Sequence, residues 1–142
     1  MTLEKKDRST EAASSGRLGI LLIDHGSRKA SSNDQLEALA ARLSELVSRD
    51  GAGPWVDFAH MEIASPPIAT GFGRCVAAGA TRIVAVPCFL SRGRHVTEDI
   101  PKLLAEAAEV YPDVPYVLAP PLSEHEGFLG LLRDAAFAHA PR

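Results

Sequence analysis

Hydrophobic and polar residues follow two alternating patterns along this chain. Short runs that are apolar throughout predict strands buried on both faces of a sheet, and Leu18 to Asp24 (LGILLID) is the first of them. Longer segments repeat their apolar residues every three or four positions, which is typical of helices. The predicted strands are Leu18–Asp24, Val56–Met61, Arg82–Phe89 and Tyr116–Ala119.

A helical segment follows each predicted strand. Because parallel neighbours need helical crossovers, the order βαβαβαβα predicts an α/β fold, a doubly wound and mainly parallel four-stranded sheet with helices on both faces. Phe72 and Trp55 are expected in the core, and Leu129 and Leu132 of the last helix are expected to face their own sheet. The helices are expected to start at caps Ser31, Ser32 and Asn33, at Pro66 and Pro67, at Val96 and at Gly127. The first is expected to be stopped by Gly51, Gly53 and Pro54, and the others to end at Gly79, Val110 and His139.

Length and composition favour one ordinary globular domain. The chain has 142 residues, of which 46% are hydrophobic and 23% are charged. Residues 1–17 are expected to form a disordered leader without a secretory pattern, and residues 18–142 a single domain in the cytoplasm. No apolar run reaches the roughly eighteen residues of a membrane span, so no membrane association is expected. The net charge of −3 argues against nucleic acid as a partner.

The two cysteines predict neither a disulfide framework nor a thiolate metal cluster. Cys75 lies in a helical pattern and Cys88 at the end of a strand, and they do not form a CxxC pair. We expect both to be buried free thiols.

Three chemically reactive side chains follow the first three strands. His25 comes after strand one, Glu62 after strand two and His95 after strand three. In an open parallel sheet ligands bind beyond the carboxyl ends of the strands, and a flavodoxin-like order would make strands one and three neighbours. Two imidazoles and a carboxylate suit a divalent transition metal and leave positions open for a substrate. Taken singly, each residue also fits a plainer role, as a turn, a helix cap or a solvated charge.

Basic residues on the same loops indicate an anionic ligand. Arg28 and Arg94 are placed to grip carboxylates in a bidentate fashion, whereas Lys29 and Arg92 fit a solvated loop equally well. Ser27 lacks the GxSxG setting of a hydrolase nucleophile, so we expect it to serve the turn or to hydrogen-bond a substrate.

The remaining histidines are expected to be structural or exposed. His60 alternates along strand two and fits a core or sheet-face position better than a ligand. His125 and His139 lie in the C-terminal region without matched partners, so surface positions are expected.

With these residues assembled, three stretches resemble the sirohydrochlorin chelatases of the CbiX/SirB type in their short, single-domain form. They are LLIDHGSRKASSN, AHMEIASPPI and VPCFLSRGRHVTEDIP, of which the last is the most specific. The resemblance implies insertion of Fe²⁺ or Co²⁺ into sirohydrochlorin, in sirohaem or cobalamin biosynthesis, with the metal as substrate and no permanent cofactor. It also implies that His25, Glu62 and His95 handle the metal. Arg92 and Ile63 depart from the family pattern, where proline and leucine are common.

The resemblance further implies a chelatase-like half-domain that pairs as a homodimer. One half-domain offers a single wall to a broad macrocycle, so a two-fold partner would supply the other. The candidate contact residues are Phe89, Leu90, Phe128, Leu129 and Leu132.

The expected mechanism is metal insertion with removal of two pyrrole protons. His25 and His95 would bind the incoming metal, either could act as base, and Glu62 would assist. No nucleotide is expected, because the chain has neither a Walker-type nor a GxGxxG loop. A histidine phosphatase is the strongest enzyme alternative, but it would require Arg-His-Gly after strand one, where this chain has Asp24-His25-Gly26. A carrier of metal or tetrapyrrole without turnover remains the alternative from another functional class.

Overall fold

The computed structural model describes residues 16–142. The expected leader lies outside the described residues except for Gly16 and Arg17, and Arg17 already belongs to the first strand. In chain order the strands and helices are β1 (Arg17–Asp24), α1 (Ala30–Val47), β2 (Trp55–His60), α2 (Ile68–Ala77), β3 (Ala80–Pro87), α3 (Ile100–Val110), β4 (Tyr116–Leu118) and α4 (Phe128–Ala138). A π-helical turn (His95–Asp99) precedes α3, and a 3₁₀ turn (Leu122–Glu124) precedes α4.

The four strands form one parallel sheet in the order β2-β1-β3-β4, which confirms the predicted α/β class. The first strand lies between β2 and β3 and pairs with both through backbone hydrogen bonds. Its continuous apolar run is typical of a strand inside a parallel sheet. Asp24 at its end lies opposite His60 of β2, and Ile23 lies opposite Pro87 of β3. The loops that follow these three strands therefore leave the sheet at one edge.

The sheet carries helices on both faces, but the two faces are covered unequally. On the face we call closed, α2 and α3 pack over the strands around Phe72, which is fully buried. On the other, which we call open, α1 alone buries Leu36 and Ala40 against Leu22 of β1. None of the helices in the described part of the chain is long and apolar enough to cross a membrane.

The last helix departs from the prediction. Leu129 and Leu132, which were expected to face their own sheet, are 75% and 51% exposed, and α4 buries none of its residues. The apolar spacing of a helix shows that it has an apolar face, and packing decides what covers that face. Here the helix follows the 3₁₀ turn outward instead of returning to the sheet.

Two smaller expectations were also wrong. The first helix begins at Ala30 after Lys29 without a side-chain cap, because the amide of Asn33 is engaged with the preceding loop instead. Trp55 is 38% exposed at the start of β2, where its indole donates a hydrogen bond to Asp57 and Arg17 lies over its ring.

Candidate active site

The loops after β1 and β2 are held together by backbone hydrogen bonds. The amide of Met61 donates to the carbonyl of Asp24 at 2.8 Å, and the amide of Glu62 donates to the carbonyl of His25 at 3.1 Å. Gly26 has a φ of +94°, and a Cβ at this position would overlap the carbonyl oxygen of Glu62. The glycine of the HGSR motif is therefore what lets the two loops come together and brings His25 to Glu62.

His25 and Glu62 form a direct pair. The distance from His25 Nε2 to Glu62 Oε1 is 2.9 Å, and His25 Nδ1 lies 3.0 Å from the carbonyl oxygen of Gly26. Because a carbonyl can only accept, the hydrogen on that side belongs to Nδ1. Nε2 then faces the Glu62 carboxylate. A metal that binds Nε2 must displace this carboxylate from it.

His95 completes the cluster from the loop after β3. Its ring centroid is 4.7 Å from that of His25, and the ring of Phe89 stacks on its other side at 6.5 Å. His95 Nδ1 lies 2.9 Å from Asp99 Oδ2, one turn further along the helical segment. A carboxylate on one ring nitrogen orients the imidazole and leaves Nε2 for a metal. Asp99 was not among the predicted site residues, although its four-residue spacing from His95 was a usable signal.

The cluster is open to solvent and is not a finished metal site. His25, Glu62 and His95 are 38%, 55% and 44% exposed. Within residues 16–142, no three His, Cys, Asp or Glu side chains are arranged as a ligand set for a metal ion. The structure brings the three predicted residues together, but His25 and Glu62 bind each other and His95 binds Asp99.

The cysteine thiols take no part in the cluster. Burial, and secondarily the carboxylate of Asp57, raises the pKa of Cys75 to about 12. Burial raises the pKa of Cys88 to about 11, with a further contribution from the carboxylate of Asp24. Both are free thiols, Cys75 fully buried and Cys88 partly so. They stay protonated at neutral pH and are poor metal ligands.

The predicted substrate-binding residues border the cluster on two loops. Arg28 is exposed, and Arg94 is 80% exposed with its Nε 3.7 Å from Glu98. The hydroxyl of Ser27 accepts a hydrogen bond from the amide of Lys29 at 3.1 Å, and it retains its own hydrogen to donate. Arg92 is held by Glu124, with Nε 2.6 Å from the carboxylate. The cations of Arg28 and Arg94 are therefore more available to a ligand than that of Arg92.

His60 has a structural position, as the alternation along β2 indicated. It is 1% exposed, and its Nδ1 lies 2.5 Å from Asp24 Oδ1 across the parallel register. The ring lies beneath the loop that carries His25 and supports it from the core. His125 and His139 are exposed, as expected.

Ile63 directly follows Glu62 in a strained conformation. Its φ is +73°, which is a genuine outlier for a β-branched residue, and the amide of Ala64 donates to the carbonyl of Glu62 at 2.8 Å to close a γ-turn. Such strain costs about 1–3 kcal/mol and is concentrated at functional sites. The turn directs Glu62 back toward His25 and leaves the Ile63 side chain 59% exposed beside the cluster.

Comparison with known proteins identifies the family. The CbiX family model matches residues 19–138. The sirohydrochlorin ferrochelatase of Arabidopsis thaliana chloroplasts is 40% identical over 116 residues, which are 82% of this chain and 50% of that protein. A sirohydrochlorin cobaltochelatase of Methanococcoides burtonii is 31% identical over 134 residues, 89% of this chain and 96% of that one.

The fold agrees with a solved structure from the same group. The sirohydrochlorin chelatase SirB from Bacillus subtilis subspecies spizizenii, in complex with cobalt, superposes with a TM-score of 0.73 at 30% identity, covering 87% of this chain and 51% of that one. The chain thus spans about half the length of several relatives and nearly all of the Methanococcoides protein. With a family model that covers most of its length, the chain belongs to the CbiX family.

Proposed function

We propose that the protein is a metallochelatase that inserts Fe²⁺ or Co²⁺ into sirohydrochlorin, in sirohaem or cobalamin biosynthesis. The observation that carries the proposal is the convergence of His25, Glu62 and His95 at the carboxyl edge of the sheet in a member of the CbiX family. The metal is a substrate, and no permanent cofactor is required. The proposed compartment is the cytoplasm, where reducing conditions keep thiols such as Cys75 and Cys88 unpaired.

Metal capture is the first proposed step. His95 offers Nε2 to the ion, because Asp99 already engages Nδ1. His25 offers Nε2 once the Glu62 carboxylate has moved away from it, so that imidazoles replace water around the ion. The exposed, incomplete ligand set holds the metal weakly enough for the pyrrole nitrogens to take it over.

Proton removal is the second proposed step. Each insertion exchanges one M²⁺ for two pyrrole protons, so the site needs an acceptor beside the metal. His25 Nε2 and the Glu62 carboxylate, 2.9 Å apart, can receive protons once the metal has passed to the macrocycle. Solvent then takes the protons, since both side chains are exposed.

Arg28, Arg94 and Ser27 are the proposed contacts for the carboxylates of the macrocycle. Both arginines lie on the loops that carry His25 and His95, and within residues 16–142 neither guanidinium group is bound by a short ion pair. A planar guanidinium can bind a carboxylate through two hydrogen bonds, and the Ser27 hydroxyl has a hydrogen to donate. The exposed side chain of Ile63 would lie against the apolar part of the same ligand.

The proposed working unit is a homodimer. A single copy presents one wall at the cluster, and Leu90, Leu129 and Leu132 leave a large apolar area exposed. Two-fold pairs are the commonest oligomers. Phe89 and Phe128 are only partly exposed and would lie at the margin of the contact.

The decisive experiment is an anaerobic steady-state assay. The protein is incubated with sirohydrochlorin in molar excess and with Fe²⁺ or Co²⁺, and the absorption change is followed over many turnovers. His25→Ala and His95→Ala should each lower kcat by about 100-fold or more. His139→Ala, at an exposed position outside the cluster, is the matched control and should retain the wild-type rate. Uptake limited to one equivalent would identify a carrier and reject the chelatase.

Asp99 and the arginines can be separated by the kinetic constant that each variant changes. Asp99→Asn should reduce metal affinity about 10-fold, because the His95 ring loses its carboxylate.

Arg28→Gln should raise KM for sirohydrochlorin more than it lowers kcat, and esterified substrate should show the same loss with the wild type. A wild-type KM for the ester would remove the proposed role of the arginines.

A further inference from the structure

An ion pair ties the loop after β3 to the 3₁₀ turn that precedes α4. Arg92 Nε lies 2.6 Å from Glu124 Oε2, and Arg92 Nη2 donates to Glu124 Oε1 at 2.9 Å. Two guanidinium nitrogens thus bind two carboxylate oxygens, which is the bidentate geometry in which arginine pairs are strongest. An isolated exposed ion pair usually contributes little, so the importance of this one depends on what it holds in place.

The 3₁₀ turn is a firmly held partner for the loop. Pro121, directly before the turn, is fully buried. The amide of Leu122 donates to the carbonyl of Phe89 at 3.0 Å, and the amide of Ser123 donates to the carbonyl of Leu90 at 2.9 Å. The next residue supplies the carboxylate of the ion pair. The pair therefore extends a contact that the backbone has already made, so less chain has to be ordered to form it.

The stretch 90–94 depends on such a restraint because it leads directly to His95. All of its residues are exposed, and a Cβ added at Gly93 would meet no atom of residues 16–142 within 4 Å. The hydroxyl of Thr97 donates to the carbonyl of Gly93 at 3.0 Å, but this bond stays within the loop and the turn that follows it. A glycine in open space leaves the backbone free to adopt other conformations. The position of His95 therefore depends on how the two ends of the stretch are held.

The far end of the stretch is held by the core, and the near end by the contact with the 3₁₀ turn. Val96 is 4% exposed, and the ring of Phe89 stacks with that of His95 at 6.5 Å. The same contacts leave the His95 ring 4.7 Å from that of His25, centroid to centroid. Fixing both ends keeps this arrangement in place before a metal ion arrives, and such preorganisation raises affinity.

From these contacts we propose that Arg92 and Glu124 are positioning residues for His95. They bind neither the metal nor the macrocycle, and they hold the loop after β3 in the conformation in which His95 faces His25. Loss of the pair lowers the population of that conformation, and the apparent metal affinity falls by the same factor. The effect on turnover rests on the proposed chelatase function, whereas the effect on metal affinity does not.

The test measures Co²⁺ binding to the full-length chain by calorimetric titration at low salt. Arg92→Gln and Glu124→Gln should each raise the Kd for Co²⁺ about 3–5-fold, within the range that an exposed pair of good geometry can supply. A long-range charge effect alone would move the two Kd values in opposite directions, because one variant loses a cation and the other an anion. In about 1 M salt, where the Debye length is about 3 Å, the difference between Arg92→Gln and the wild type should shrink.

Arg49→Gln is the matched control. It removes the same charge from an exposed position in the loop between α1 and β2, at the amino edge of the sheet, and should retain the wild-type Kd. Arg92 and Glu124 are 55% and 39% exposed, so their variants should fold with nearly the wild-type Tm. A change in Co²⁺ affinity without a change in Tm is not expected of a pair that serves stability alone.

Two double variants separate positioning from direct contact. Arg92→Glu together with Glu124→Arg restores the pair with its charges exchanged, so its Kd should return to within about 2-fold of the wild type. In a His95→Ala background, Arg92→Gln should have no further effect, because the pair acts through His95. Wild-type Kd values for both glutamine variants, or an equal loss with and without His95, would overturn the proposal. A wild type that binds Co²⁺ without turnover would reject the chelatase alone, because the comparison of Kd values decides the positioning role by itself.

Discussion

The two faces of the sheet are built from similar strands but are covered to very different degrees. On the closed face α2 and α3 join the strands in a cluster of thirteen buried residues, whereas on the open face α1 joins them in a cluster of three. A groove of about 480 Å³ remains beside α1, lined by Leu36, Leu39, Asp24 and Cys88 among others. The comparison indicates that the closed face supplies most of the stability of a single copy.

The closed-face cluster also explains how the loops of the candidate active site can be exposed to solvent and still keep their geometry. His25 and Glu62 rest on loops that are tied to the end of β1, and β1 is anchored in the closed-face cluster through Leu21 and Ile23. The loops therefore need no core of their own to hold their geometry. The strain at Ile63 is tolerated for the same reason, since Met61, two residues earlier, is buried in the closed-face cluster.

The largest effect should follow truncation at the centre of the closed face. Phe72→Ala removes a fully buried ring that stacks with Tyr111 and meets Tyr116 edge-on. The free energy of unfolding should fall by about 4 kcal/mol, as measured by urea denaturation, because such a cavity cannot collapse in a dense cluster. A loss below about 1 kcal/mol would mean that the closed face is not the main core.

A smaller loss should follow the matching truncation on the open face. Leu36→Ala empties a site that is 4% exposed but borders the groove beside α1. The free energy of unfolding should fall by about 2 kcal/mol, near the lower end for buried leucines, because solvent and neighbouring side chains can fill the space. If Leu36→Ala cost as much as Phe72→Ala, the distinction between the two faces would be lost.

The same contrast shows what the sequence can and cannot predict about the fold. The apolar run of β1 predicted a strand buried on both faces, and the alternation of strands and helices predicted the parallel sheet, because both depend on local patterns. Helix α4 has the same kind of periodic pattern as α2, yet only α2 is buried. What covers an apolar helix face depends on the path of the chain after β4, and no local pattern encodes that path.

The candidate site divides in a similar way. The convergence of His25, Glu62 and His95 followed from the strand order and from the rule that ligands bind at carboxyl ends. Asp99 was within reach of prediction, since residues four apart on a helix face the same side. The pair of Asp24 and His60 was not, because it depends on the register of two parallel strands that are 36 residues apart in the sequence. The roles of these residues stay predictions until the variants are assayed.

The cysteines allow the two faces to be compared by pH. An unfolded thiol loses its proton near pH 9.0, whereas Cys75 on the closed face keeps its proton to about pH 12 and Cys88 on the open face to about 11. Above pH 9 the unfolded chain therefore binds fewer protons, and the free energy of unfolding falls as pH rises, by about 1.4 kcal/mol per pH unit for each thiol. Below pH 9 neither thiol contributes a pH dependence.

Urea denaturation between pH 8 and 10.5 measures this slope. Cys75→Ala and Cys88→Ala should each make it shallower, and comparison with the wild type removes the contribution of tyrosines and lysines. A thiol reagent at pH 8 should modify Cys88 well before Cys75, which becomes accessible only on unfolding. Equal reactivity of the two thiols would contradict the tighter packing of the closed face.

The smallest effect on the stability of a single copy should come from the last helix. Leu129 is 75% exposed, so Leu129→Ala should change the free energy of unfolding by less than about 0.5 kcal/mol at protein concentrations where the monomer predominates. Leu104→Ala, at a fully buried position of α3, is the matched control and should cost several-fold more. A loss of about 2 kcal/mol or more for Leu129→Ala would mean that α4 packs on its own sheet in solution.

If a second copy covers α4, as proposed, Leu129→Glu should weaken self-association in light scattering at micromolar protein while leaving monomer unfolding unchanged. If Leu129→Glu abolished the dimer and left turnover unaltered, the second copy would have only a structural role. His25 and His95 of each copy would then handle the metal without a partner.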